Sequence, residues 1–194
     1  MPRLLLASSS PRRKELLQQI GVEFTSCSAD IDESVLEGEL PHDYVCRLAA
    51  EKALCGWRIS GKPEDLVVLG SDTTVVIDGQ TLGKPNCEQE SVAMLMALSG
   101  RTHEVMTAIA VCFRGTVEVA LVTTQVTFKV LDIATCQRYW QTGEPRDKAG
   151  SYGIQGLGAV FIEGIQGSYT AVVGLPLAET AELLTKFDIQ IWHN

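Results

Sequence analysis

The segment Ala7-Ser8-Ser9-Ser10-Pro11-Arg12-Arg13 puts three hydroxyls and two guanidinium groups at the start of an expected helix. Free backbone N–H groups and the helix dipole make such a terminus attractive to an anion. Two arginines in a first turn oppose that dipole unless an anion joins them. Phosphate suits the arrangement, because Ser8 and its neighbours add donors and Arg12 or Arg13 can grip two oxygens at once. An ordinary capped helix with two solvated arginines has the same residues.

Asp72 follows the apolar run Val67-Val68-Leu69-Gly70. A carboxylate at the end of a buried strand stands where α/β folds place ligands. It can hold a hard cation or take a proton from water; Ser71-Asp72 also suits a turn. Asp30, Asp32 and Glu33 form a second acidic group. Glu33 is the member to join Asp72 in a metal site, and a solvated acidic loop accounts for the others. Lys52 and Lys84 are candidate phosphate partners, although Lys52 also reads as a surface helix lysine. Gly83-Lys84-Pro85 is not a P-loop: Gly79 to Gly83 is one residue short, and Pro85 stands where Ser or Thr is required. No G-x-G-x-x-G follows the first strand. Last comes Lys148-Ala149-Gly150-Ser151-Tyr152-Gly153-Ile154-Gln155-Gly156. Its glycines let a backbone pass close to a ligand, and Gln155 offers a donor and an acceptor to a nucleobase edge. A flexible surface loop shares this composition.

The elements that must position these groups alternate. Arg3 to Ala7 reads as a buried strand, Pro11 to Ile20 as a helix with Ser10 as its cap, and Val22 to Ser28 as a strand. His42 to Ile59 reads as a helix with Val45, Leu48, Ala49, Ala53 and Leu54 inward. Leu66 to Gly70 and Thr73 to Ile77 read as strand, with a hairpin at Asp78-Gly79. Cys87 to Leu98 is a helix capped by Asn86. Val105 to Phe113 and Val117 to Val130 are strands joined at Arg114-Gly115. Asp132 caps a helix that ends near Gly143. Ala159 to Ile162 and Ser168 to Val173 read as strands, and Leu177 to Lys186 as a final helix. The expectation is an α/β domain with a mixed sheet.

The chain has 194 residues and a net charge of −8, which counts against a nucleic-acid coat or a membrane-surface binder. There is no apolar run long enough to span a bilayer, and the stretch from Leu4 to Ala7 is too short for a signal peptide, so a cytoplasmic protein is expected. Six cysteines without a C-x-x-C pair and three scattered histidines (His42, His103, His193) exclude the usual zinc spacings and a disulfide framework. Any metal would use oxygen ligands, as Mg²⁺ does.

Taken together, the motifs resemble the Maf family of nucleoside triphosphate pyrophosphatases over nearly the whole chain. The resemblance rests on Ser8-x-Ser10-Pro11-Arg12-Arg13, Asp32-Glu33, Arg47-Leu48-Ala49 with Glu51-Lys52-Ala53, Ser71-Asp72-Thr73 and Gly83-Lys84-Pro85. Ser99-Gly100-Arg101-Thr102-His103, the Gly-rich segment and Gly174-Leu175-Pro176 follow in order. Ala171, where many members carry Asn, is one departure. The resemblance implies one domain over residues 1–194: an elongated mixed sheet with flanking helices and two lobes around a central cleft. It implies hydrolysis of a nucleoside triphosphate to the monophosphate and pyrophosphate with a divalent cation, Mg²⁺ or Mn²⁺. Asp72 takes the place of the general base, and Arg12, Thr73 and Gln155 those of the specificity residues. Ser8 falls within the N-terminal signature. Arg13, Glu33, Lys52 and Lys84 match the triphosphate and metal environment, with Glu33 and Asp72 on the metal. Arg12 and the Tyr-Gly-Ile-Gln segment are similar to members acting on dTTP and UTP. A homodimer follows by analogy. No Ser or Cys nucleophile beside a His is visible, so direct attack by water is the simpler scheme. The competing expectation is a nucleotide-binding regulator of cell division and septum formation with little catalysis.

Overall fold

Leu4 to Ala7 are all buried, which is why this first strand, β1 (Arg3–Ala7), shows no polar alternation. In the computed structural model, which describes residues 2–192, β1 pairs in parallel with β2 (Phe24–Cys27) and with β3 (Leu66–Ile77). Helix α1 (Pro11–Gln19) links β1 to β2, and α2 (Pro41–Ile59) links β2 to β3. The later strands are β4 (Gln80–Leu82), β5 (Thr102–Phe113), β6 (Thr116–Phe128) and β7 (Ile162–Gln166). The later helices are α3 (Glu88–Leu98), α4 (Ile133–Gln141), α5 (Tyr169–Val173) and α6 (Leu177–Thr185). The seven strands form one sheet in the order β2-β1-β3-β5-β6-β7, with β4 paired to β3. β4 pairs antiparallel with β3 and β7 with β6, so the sheet is mixed, as expected.

The chain divides into two compact units. The first holds residues up to Asp72, Thr107–Val122 and the chain from Gly174; the second holds Thr73–Met106 and Thr123–Val173. In the first, α2 lies very close to the strands beneath it. A Cβ on Gly70 would stand 2.3 Å from the Ala49 carbonyl oxygen, and one on Gly56 would stand 2.8 Å from Val68. The two missing side chains let the helix settle there, with Val45, Leu48, Ala49, Lys52 and Ala53 buried. Leu54, expected inward, is only half-buried, and Lys52 takes an inner position instead. The second unit has an aromatic core. His103 is buried there, with its Nε2 2.8 Å from the Tyr152 hydroxyl and its ring edge-on to Phe128.

Several local expectations change. β3 runs unbroken from Leu66 to Ile77, so Asp72 lies within a strand, not at its end or in a turn. The reason is local satisfaction: the Ser71 and Asp72 side chains both find partners inside the first unit. Ser168 to Val173 contains helix α5, not a strand. The Ser168 hydroxyl accepts from the Ala171 amide there, and this local bond outweighs the β-branched run. Ala171 itself is fully buried. Leu157–Phe161 is a 3-10 turn, so the late strand begins only at Ile162. Ser10 stands at the N-cap of α1 without a side-chain bond. Cys87 takes the N-cap position of α3, and Asn86 donates from its main chain and side chain to Glu90. The hairpin at Asp78-Gly79 and the Asp132 cap form as read. All six cysteines are free thiols. His42 is beside Asp43, and His193 lies outside the described residues. Among the described residues no helix is long and apolar enough to cross a membrane.

Candidate active site

The first unit holds Ser8, Arg12, Arg13, Glu33, Lys52 and Asp72, and the two carboxylates among them meet one ammonium. The Lys52 Nζ, on the inner face of α2, is 2.7 Å from Asp72 Oδ1 and 2.7 Å from Glu33 Oε1. The Lys52 and Asp72 side chains are each 11% exposed, whereas Glu33 is 46% exposed. Lys52 is therefore no surface lysine. Burial pushes the Asp72 carboxyl above the usual aspartate range, and the charges of Lys52 and Arg13 pull it back only in part. The net rise suits a group that must accept a proton.

Arg13 is fixed from two sides. Its Nε donates to the Gly174 carbonyl at 2.8 Å, and its Nη1 donates to Ser8 Oγ at 3.3 Å. Ser71 Oγ donates to the same carbonyl at 3.0 Å. Ser8 Oγ also accepts from the Ser10 amide at 3.2 Å, ahead of α1. Burial lowers the Arg13 pKa; the charges of Asp72 and Glu33 oppose that fall, and Arg12 adds to it. Arg12 follows Pro11 in the first turn of α1, where no acidic residue stands. That turn therefore keeps its positive character.

The acidic loop is held down by residues to which no role had been given. Arg47 Nε and Nη2 make a bidentate pair with Glu39 at 2.5 and 2.8 Å, and Nη2 also donates to the Ser34 carbonyl at 2.9 Å. The Tyr44 hydroxyl donates to the Glu33 carbonyl at 2.9 Å. Asp30 and Asp32 line a groove with Glu51 and Arg58, so Glu33 is the member of the loop that reaches Lys52.

The second unit carries Thr73, Lys84 and Gln155. Thr73 is half-buried in β3, and Lys84 and Gln155 are exposed. The Gly150 amide donates to the Gly83 carbonyl at 3.1 Å, which ties the Lys84 segment to the Gly-rich segment. That segment is no flexible loop, because Gly150, Ser151, Tyr152 and Ile154 are buried. Several of its glycines make room for the protein's own side chains. A Cβ on Gly150 would strike Val75, and one on Gly156 would strike Glu144.

Among the described residues, no group of three or more His, Cys, Asp or Glu could hold a metal ion. Glu33 and Asp72 nevertheless offer two hard carboxylates to a single cation, the Lys52 ammonium. That donor set fits the Mg²⁺ habit of taking one or two carboxylates and completing its shell with water and substrate phosphates.

The model of the family described as "Maf-like protein" matches residues 3–187. The chain belongs to this family. The match takes in both compact units. Relatives named dTTP/UTP pyrophosphatase include that of Saccharophagus degradans, 54% identical, covering 98% of this chain and 91% of its own length. Those of Pseudoalteromonas translucida and Methylobacillus flagellatus are 57% and 55% identical, with 94% and 98% of this chain covered and 95% and 96% of theirs. A solved nucleoside-triphosphatase / dITP/XTP pyrophosphatase of Mycobacterium abscessus aligns over 96% of each chain at 17% identity and a TM-score of 0.46. The family accounts for the order of motifs along the chain. Ser71, Gly174, Arg47, Glu39 and Tyr44 had been motif letters or unremarked, and here they hold Arg13 and Glu33 in place.

Proposed function

We propose that the protein hydrolyses dTTP and UTP to the monophosphate and pyrophosphate. The buried Lys52–Asp72 pair, with Glu33 on the same ammonium, carries this reading. dTTP and UTP are the substrates named for the 54–57% identical relatives. In this scheme water attacks the α-phosphorus, its oxygen bonds to phosphorus, and the Pα–O bond to the leaving pyrophosphate breaks. Asp72 accepts the proton of the attacking water, as its raised pKa favours. Lys52 holds the Asp72 carboxylate in position and lends charge against the phosphates. Arg13, the first turn of α1 with Ser8, and Lys84 bind the anionic chain, and this fixed charge contributes most where negative charge develops. Arg12, Thr73 and Gln155 meet the base. A divalent cation, Mg²⁺ or Mn²⁺, would be held by Glu33 and Asp72 with substrate oxygens; it supplies charge neutralisation at the phosphates. Six free thiols suit the reducing cytoplasm.

The test is pyrophosphate release by the purified protein from a panel of common triphosphates with Mg²⁺ or Mn²⁺. dTTP and UTP are expected to lead the panel. Asp72→Asn should abolish turnover while triphosphate binding persists. Normal kcat in that variant would remove Asp72 from the role of base. Release from no substrate would leave a nucleotide-binding regulator.

A further inference from the structure

Glu144 follows α4 in a 3-10 turn, Glu144–Asp147, and nothing in the reaction above uses it. Its carboxylate nevertheless accepts three hydrogen bonds within the second unit. Oε1 accepts from the Tyr139 hydroxyl at 2.6 Å and the Gly158 amide at 3.0 Å, and Oε2 accepts from the Leu157 amide at 2.8 Å. The Tyr139 oxygen in turn accepts from the Gly153 amide at 3.1 Å. The main chain is thus pinned at 153 and again at 157–158, and Gln155 lies between the pins. Glycine lets the main chain come this close to the clamp: a Cβ on Gly156 would lie 2.2 Å from Glu144 Oε2, and one on Gly158 would lie 2.6 Å from the Tyr139 oxygen. Tyr152 and Ile154 are buried on the way in, whereas Gln155 is exposed. Lys148 Nζ fastens the turn itself, through the Glu144 carbonyl at 2.8 Å and Asp147 at 2.7 Å.

We propose that Glu144 is a positioning residue for base selectivity: its carboxylate fixes residues 153–158 in the shape that presents the Gln155 amide to a pyrimidine edge. The proposal rests on the reading that Gln155 contacts the base. A carboxylate suits the task because it accepts only, and each of the three groups facing it donates. An amide there would set a donor against a donor. Burial raises the Glu144 pKa, but the bonds from Tyr139, Gly158 and Leu157 outweigh it and keep the carboxyl below its ordinary range. The clamp therefore stays charged at neutral pH. Selectivity follows from fixed geometry, since a base-reading amide on a loose loop meets right and wrong bases with similar ease.

The experiment compares kcat/KM for dTTP and UTP with kcat/KM for dGTP in the full-length protein, in Glu144→Gln, Gln155→Ala and the double variant. Hydrogen exchange is followed at the amides of 153–158. Glu144→Gln should lower the pyrimidine-to-purine ratio by about tenfold, mainly through KM for the pyrimidines, and speed exchange at 153–158. Competitive inhibition by pyrophosphate should move by less than about twofold. The double variant should lose no more selectivity than Gln155→Ala alone, because the two residues act through one contact. Tyr139→Phe, which removes a single hydroxyl, should shift the ratio in the same direction and serves if Glu144→Gln fails to fold. A wild-type ratio in Glu144→Gln beside a lost ratio in Gln155→Ala overturns the positioning role and leaves the base contact standing. Fully additive losses overturn it as well. A wild-type ratio in Gln155→Ala removes the base contact, and the positioning role goes with it.

Discussion

A carboxylate accepts a proton from water best when its pKa approaches the working pH, and Asp72 is moved that way by burial while Lys52 and Arg13 resist. In the metal-free protein the Asp72 carboxyl should therefore titrate above the ordinary aspartate value of about 3.9, as carboxyl NMR reads it. Lys52→Met removes the largest opposing charge, so the carboxyl should titrate at still higher pH in that variant, and kcat should fall. Titration at the same pH in both proteins would show that Lys52 does not hold the carboxylate in its charged form. The residue types of this site were legible in the sequence: Asp72, Glu33, Lys52 and Arg13 all stood out by charge and neighbourhood. The depth of Lys52 is legible too, since its neighbours Leu48, Ala49 and Ala53 are apolar residues of the inward stripe. The anchoring of Arg13 was not. It uses a main-chain carbonyl, that of Gly174, 161 residues away, and a carbonyl has no side-chain signature.

Elements set how near those residues come. Lys52 reaches Asp72 because α2 lies on β3 with the Ala49 and Ala53 main chain against Gly70. Gly70→Ala places a Cβ 2.3 Å from one backbone atom and 2.7 Å from another, and backbone cannot rotate away. A cost of about 1–3 kcal/mol or more is expected, with a fall in kcat as α2 carries Lys52 off its partner. Gly79→Ala is the control. It meets nothing within 4 Å and bears only the strain of φ +74, so it should cost little more than about 1 kcal/mol and spare kcat. Denaturant midpoints and steady-state rates measure both. Where an element's pattern was periodic, as at α2, or capped, as at the Asp132 helix, the sequence reading held to within a residue or two. It failed where a few local bonds decided. Ser168 turns a β-branched run into α5, and Ser71 and Asp72 keep β3 straight where a turn was expected. Such choices depend on partners that only the folded chain supplies.

For the molecule as a whole, acid acts in opposite senses on its charges. At a net charge of −8, lowering the pH first relieves general repulsion. Asp72 acts in the same sense, because a carboxyl raised in the folded state binds a proton before its unfolded counterpart does. His103 acts the other way. It is 2% exposed among Phe128 and Tyr152, its Nδ1 has no hydrogen-bond partner, and burial lowers its pKa from 6.5 to about 4. The unfolded chain therefore takes up a proton that the folded chain refuses, and stability from this group is full above pH 6.5 and lost as pH falls toward about 4. The slope approaches about 1.4 kcal/mol per pH unit within that window. Salt weakens the surface repulsion and leaves a buried imidazole almost untouched, so at physiological ionic strength the His103 effect should dominate in the second unit. His103→Gln keeps a partner for the Tyr152 hydroxyl and cannot titrate. Opening free energies from hydrogen exchange at Val105 and Val126, both in the core of that unit, should fall between pH 6.5 and 4 in the wild type and stay much flatter in the variant. Parallel pH dependence in the two proteins would show that the buried imidazole does not control acid stability.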